Sequence, residues 1–180
     1  MGAFVQKVAA FAGRFRAARG GATAIEFAIV ALPFFFMMFA ILELGRVFVL
    51  TSTLENAAMD AGRQIRTGQI QTTGGTAATF KTAVCQRMGI FAGDCQSRLT
   101  IDVRVLPQFR DPNPPDPMAG GTFSDRNMTF QPGGAEDIIL VRTWWRQSLF
   151  TPFMASGLSR LGDGNVVVTS ATAFRNEPYQ

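Results

Sequence analysis

A handful of residues in this 180-residue chain are of types that can do chemistry. Glu26 stands one position before a long uncharged run and five positions after the glycine pair Gly20-Gly21. A carboxylate drawn into lipid costs roughly 2.5 kcal/mol or more, so Glu26 either snorkels to the interface or awaits a positive partner. Glu43 and Arg46 are three apart, share one helical face and can pair there. Cys85 and Cys95 are the only cysteines, ten positions apart. In an oxidising compartment such thiols bridge, and the loop they close is worth ~2–3 kcal/mol; the alternative is a buried free pair. Two thiolates without histidine do not complete a tetrahedral zinc site. Asp111, Asp116 and Asp125 lack the spacing and terminal glutamate of a helix-loop-helix calcium site.

The chain contains no histidine. That excludes serine–histidine and cysteine–histidine catalysis and most catalytic zinc sites. It also lacks a glycine-rich phosphate loop, a paired-carboxylate signature and a nucleophile elbow. The expectation is a chain with no catalytic residues, no cofactor and no metal. The formal charge is +4, and four of the 17 basic residues (Lys7, Arg14, Arg16, Arg19) lie in the first 21 positions, which hold no acid. The other 159 residues are balanced, so the pI of about 9.8 belongs to the N-terminal segment. No basic face is left for nucleic acid.

The element that positions Glu26, Glu43 and Arg46 is a long apolar helix. Phe27 to Leu42 carries no charge. Those residues make ~24 Å of helix, against a hydrocarbon core of ~30 Å. The pattern extends from Ala22 to Leu50, and its charges Glu26, Glu43 and Arg46 fall near the ends, where side chains reach the headgroups. A buried core helix does not need bulky apolar residues on every side. A cleaved secretory signal needs small residues at its end, and Met38-Phe39-Ala40 puts a large one there. The reading is one membrane span. The lysine and arginine excess before it keeps the N-terminus cytoplasmic and places the remainder beyond the membrane. This divides the chain into a basic leader (1–21), a transmembrane helix (22–50) and an outer domain (51–180), with Glu43 and Arg46 as a membrane-edge pair. Pro33, in mid-span, either bends the helix or is neutral there. Within the leader, Phe4, Val8, Phe11 and Phe15 repeat at helical spacing among basic residues, which predicts a basic amphipathic helix.

The stretch from Gly20-Gly21-Ala22-Thr23-Ala24-Ile25-Glu26-Phe27 through Leu32-Pro33-Phe34, with Glu43-Leu44-Gly45-Arg46 downstream, resembles the TadE-like family, the pseudopilins of tight-adherence (Flp, type IVb) pilus systems. The resemblance covers roughly residues 19–62, with a weaker likeness at Arg175-Asn176-Glu177-Pro178-Tyr179. It implies processing by a prepilin peptidase at the Gly21–Ala22 bond, with Glu26 as the fifth mature residue and Phe27 opening the apolar run. The alternative bond after Gly20 would make Glu26 the sixth. It also implies a bacterial inner-membrane protein with a periplasmic C-terminal domain, before or after entry into the pilus. Its partners would be the major pilin, other pseudopilins, the inner-membrane platform, the peptidase and the bilayer. In the family's assembly model, the glutamate of one subunit faces the new N-terminal amine of its neighbour. The rival reading is an uncleaved single-span protein whose outer domain binds an envelope partner.

For the outer part, Leu50, Leu54, Ala57, Ala58, Ala61 and Ile65 continue the helical period and Gly68 is a C-cap, which predicts one helix over about 23–67. A polar loop follows over Gln69–Gly75, then a helix over Thr76–Gly89. Strands are expected at Leu99–Val105, Ile138–Trp145 and Val166–Phe174, with a proline-rich loop over 107–135 that holds a short strand near Met128–Phe130. Residues 150–161 read as loop or short helix. Of Trp144 and Trp145, which point to opposite faces of a strand, one belongs in the core; the other is either exposed as a contact surface or covered within the domain. The fold class is α+β: a long N-terminal transmembrane helix continuing as the spine of a pilin-like domain, with a small antiparallel sheet packed on it.

Overall fold

The computed structural model describes residues 21–110, 114–118, 121–151, 154, 157–158 and 161–179. The leader helix expected over residues 1–20 lies outside them, as does most of the stretch over 152–160. Among the described residues, five helical or turn elements precede three strands. They are α1 (Ala22–Arg66), α2 (Gln69–Thr72), α3 (Ala77–Cys85), a 3₁₀ turn (Gly89–Phe91) and α4 (Ala92–Arg98), then β1 (Leu99–Leu106), β2 (Ile138–Ser148) and β3 (Asn165–Arg175). By packing, the chain divides between Ile41 and Leu42.

The first unit, as far as it is described, is the first part of α1. Its large apolar side chains are exposed, among them Ile25, Phe27, Val30, Phe34, Met37 and Ile41. Helical structure runs through Pro33 without a break. Among the described residues α1 is the one helix long and apolar enough to cross a membrane, and none of its most apolar window is buried by protein. Ala22 to Ile41 amounts to ~30 Å of helix, the thickness of a hydrocarbon core.

The second unit, from Leu42 on, has an ordinary core. On α1, Leu50, Leu54, Ala57, Ala61 and Ile65 are fully covered, the stripe that three-to-four spacing predicts. They meet Phe80, Val84 and Met88 from α3 and its exit, and the inner face of the sheet. That sheet is antiparallel in the order β1-β2-β3. Leu99 pairs with Trp145 and Val103 with Val141; Trp145 pairs in turn with Val168, and Ile139 with Phe174. Alternation along each strand therefore puts Ile101, Val103, Ile139, Val141, Trp145, Val166 and Val168 against the helices. Gly62 gives α1 its closest approach to β3: a Cβ there would stand 3.2 Å from the Phe174 ring.

The outer sheet face is closed by the long loop rather than by helix. At the edge of β1 the same loop makes a parallel bridge from Phe130 to Val103, and the Phe130 ring turns to the inner face, obliquely against Phe80. This single bridge is what stands where a short strand near Met128–Phe130 is expected. Phe123 packs edge-on to Trp144, and the Arg142 guanidinium lies 4.8 Å from the Trp144 ring. Both tryptophans are thus buried, one on each face. Under the same cover sits Asp102, fully buried. It accepts from Arg104 Nε, from Arg142 through two nitrogens (2.6 and 3.2 Å) and from the Thr129 amide at 2.8 Å. Burial alone would raise its pKa, but the hydrogen bonds from Arg104, Arg142 and Thr129 outweigh that and hold the carboxyl below its usual range.

Helix bounds differ from expectation in two regions. Thr76 caps α3 through a reciprocal pair with Thr79. The helix stops at Cys85, short of Gly89, which takes a positive φ. A 3₁₀ turn and α4 then occupy a stretch for which no element is expected. Likewise, the polar loop over Gln69–Gly75 contains the single turn α2. Cys85 and Cys95 form a disulfide between the end of α3 and α4, with a Cα–Cα distance of 5.4 Å.

Candidate functional site

Two stretches of α1 carry the residues singled out by their chemistry. At its start, Gly21 is exposed, Ala22 is the first helical residue, and Glu26 and Phe27 lie about one turn further on, both exposed. A Cβ added at Gly21 would meet nothing within 4 Å, so its glycine is not required by packing. The helix begins with no acid in its first turn. Among the described residues Glu26 therefore stands between exposed apolar side chains, with Ile25 and Phe27 beside it and Ile29 and Val30 a turn away. The alternative scissile residue, Gly20, lies outside the described residues.

The second stretch is Glu43-Leu44-Gly45-Arg46. Glu43 is only 4% exposed. Its carboxylate accepts from Arg46 at 3.2 Å, and also from the backbone amides of Phe150 at 2.6 Å and Thr151 at 2.8 Å. Arg46 in turn donates to the Ser148 carbonyl at 2.9 Å, and its guanidinium lies 4.5 Å from the centre of the Phe150 ring. Two consecutive N–H groups aimed at one carboxylate form a small anion nest. Here the anion comes from α1 and the nest from the turn after β2. The Glu43–Arg46 pair clasps the spine helix to the end of the sheet. The amide donors lie more than 100 positions away in sequence, so only Arg46 was visible as a partner.

The far end of the spine is tied as well. Gly68 takes a positive φ of 77°, and a Cβ there would stand 2.5 Å from the Tyr179 ring. The C-terminal segment folds over this spot. The Glu177 amide donates to the Arg66 carbonyl at 2.8 Å, and their side chains pair at 3.2 Å. Buried Asn176 donates to the carbonyls of Pro132 and Gly134. Arg66 and Gly68 close α1 at the point where its last carbonyls need donors. The Arg-Asn-Glu-Pro-Tyr segment thereby acquires a physical role as the cap of the spine.

Among the described residues no group of three or more histidine, cysteine or acidic side chains is arranged to hold a metal. The chemistry among the described residues consists of a carboxylate on an apolar rod, a disulfide, and two clasps that fix the spine to the sheet. The family model described as TadE-like protein matches residues 21–63. The match opens at the expected scissile glycine and takes in Glu26, Glu43 and Arg46. No curated protein and no solved structure matches the chain.

Proposed function

We propose that this chain is a minor pseudopilin that takes part in assembling a tight-adherence (Flp, type IVb) pilus. A prepilin peptidase cuts it between Gly21 and Ala22. The supporting observation is the coincidence of three things over one stretch: the TadE-like match, the glycine-to-glutamate spacing and an exposed apolar helix of bilayer length.

The physical sequence of events follows from those residues. The basic leader holds the N-terminus in the cytoplasm and α1 spans the inner membrane, its bilayer part read as ending at Ile41, where the packed unit begins, rather than at Leu50 as the apolar pattern has it, and the α+β unit stands in the periplasm. Cutting after Gly21 removes the basic segment and leaves an ammonium on Ala22. Glu26, one turn along an apolar helix, then faces the amine of a neighbouring subunit in a low-dielectric bundle. Such a pair sets axial register more than it adds affinity. The exposed apolar surface of the first unit is covered by lipid before assembly and by the helices of the major pilin and sister pseudopilins afterwards. The inner-membrane platform brings these together. The chain itself performs no catalytic step and carries no cofactor.

Replacing Glu26 by Gln tests the role of the acid. The expected result in the native host is a membrane-inserted, folded chain that fails to support surface piliation. Normal piliation and normal processing by the Glu26→Gln variant would overturn the proposed pairing.

A further inference from the structure

Among the described residues, the two most exposed large apolar side chains beyond α1 are Ile90, at 88%, and Phe150, at 78%. They line the same cleft, together with Arg46, Arg98 and the buried wall of Trp145. Each has a local cause for pointing outward. In the 3₁₀ turn Gly89–Phe91, the Phe91 ring packs edge-on to Trp145, which leaves Ile90 on the open side. At Phe150 the amide is committed to Glu43, and the ring lies under the Arg46 guanidinium.

We infer that Phe150 and Ile90 form a lip on the outer domain that inserts into the interfacial layer of the bilayer where α1 emerges. The inference rests on the reading of α1 up to Ile41 as a membrane span. The occupant is lipid because of where the chain runs. Glu43 is two positions past Ile41, ~3 Å along the helix axis, and the Phe150 amide is hydrogen-bonded to it at 2.6 Å. Each headgroup layer is ~5–7 Å thick, so the short chain path from Ile41 through Glu43 keeps the Phe150 amide within reach of that layer. Water is a poor medium for both side chains, whereas the boundary between headgroups and acyl chains suits them. Arg46 over the Phe150 ring completes an amphipathic pair of the kind found at that boundary, with an apolar body and a charged head. Arg98, on the same cleft, is paired with Asp94 at 3.3 Å and adds no net charge, so the attraction is apolar rather than ionic.

The experiment uses the full chain in vesicles of phosphatidylethanolamine and phosphatidylglycerol. The native cysteines are bridged, so an introduced cysteine is the one free thiol for a nitroxide label. Depth is read as the balance of oxygen and nickel-chelate accessibility at Phe150→Cys, Ile90→Cys, Phe34→Cys within the span, and Thr73→Cys beyond the far end of α1. Both lip positions are exposed, and the near-ultraviolet signal of Trp144 and Trp145 verifies that each variant is folded. The expected result is a deep reading at Phe34, a loss of nickel-chelate accessibility at Phe150 and Ile90 relative to Thr73, and a fully aqueous reading at Thr73. A deep Phe34 with Phe150 and Ile90 as aqueous as Thr73 overturns the lip and leaves the span standing. An aqueous Phe34 overturns the span, and the lip with it.

Discussion

Replacing Glu43 by Ala removes a single carboxylate but strands four donors: the Phe150 and Thr151 amides, the Thr151 side chain and the Arg46 guanidinium. The Thr151 amide is buried, so losing its acceptor carries the full cost of an unsatisfied N–H, about 2 kcal/mol. The Phe150 amide and the Arg46 guanidinium are nearer to water and recover part of their solvation, so together they add about 1 to 2 kcal/mol. The better helix propensity of alanine returns only a few tenths of a kcal/mol. The net loss is therefore ~3 kcal/mol, a large share of the ~5–15 kcal/mol that holds a domain together. With a urea slope of ~2 kcal/mol per molar, the unfolding midpoint drops by ~1.5 M. The assay is urea unfolding of the full chain in detergent micelles, followed by emission of the buried Trp144 and Trp145. Glu43→Gln, which keeps one acceptor oxygen but loses the charge, falls between parent and Ala variant. A Glu43→Ala midpoint within ~0.25 M of the parent, ~0.5 kcal/mol at that slope, would refute the clasp, since that is the range of an ordinary surface substitution.

The buried carboxylate, the disulfide and the glycine at the end of the spine each carry a prediction of their own. Asp102 has a folded pKa below its unfolded value, so its contribution is complete above the unfolded pKa and is lost as pH falls through the folded one; stability measured from pH 7 downward should hold to about pH 4–5 and then decline, and Asp102→Asn should lower the plateau and flatten the acid limb. Replacing both Cys85 and Cys95 by Ser opens a short loop and should cost ~3 kcal/mol in the same urea assay, with no further loss on adding reductant. Gly68→Ala imposes a side chain on a positive φ and drives it into the Tyr179 ring, so a loss of ~2 kcal/mol or more is expected; adding Tyr179→Ala should recover the steric part, which a double-mutant cycle reads as coupling.

Where the sequence carries a strong period, it anticipates the fold closely. The stripe from Leu50 to Ile65 marks the buried face of α1, and Gly68 marks its end. Strict alternation at Leu99–Val105 and β-branched residues at Val166–Phe174 locate β1 and β3 to within a residue or so. The turn and α4 over Gly89–Arg98 were not legible. Gly89, Gly93 and Asp94 are weak helix formers, and this stretch is held by the disulfide and by Phe91 on Trp145 rather than by its own propensity. The same limit applies to the site. The pairing of Glu43 with Arg46 can be read from a spacing of three, but the Phe150 and Thr151 amides become donors to Glu43 only once β2 has been laid beside the spine. Asp102, in mid-strand, looks like a solvated outward position; the proline-rich loop that buries it has no periodic signature to announce that it covers the sheet.

The most direct test of the proposed function is the N-terminal residue of the protein extracted from membranes of cells that contain the prepilin peptidase. Mature chains that begin at Ala22, with intact Met1 chains accumulating when the peptidase is absent, are the predicted result. Chains that begin at Met1 or Gly2 whether or not the peptidase is present would contradict it.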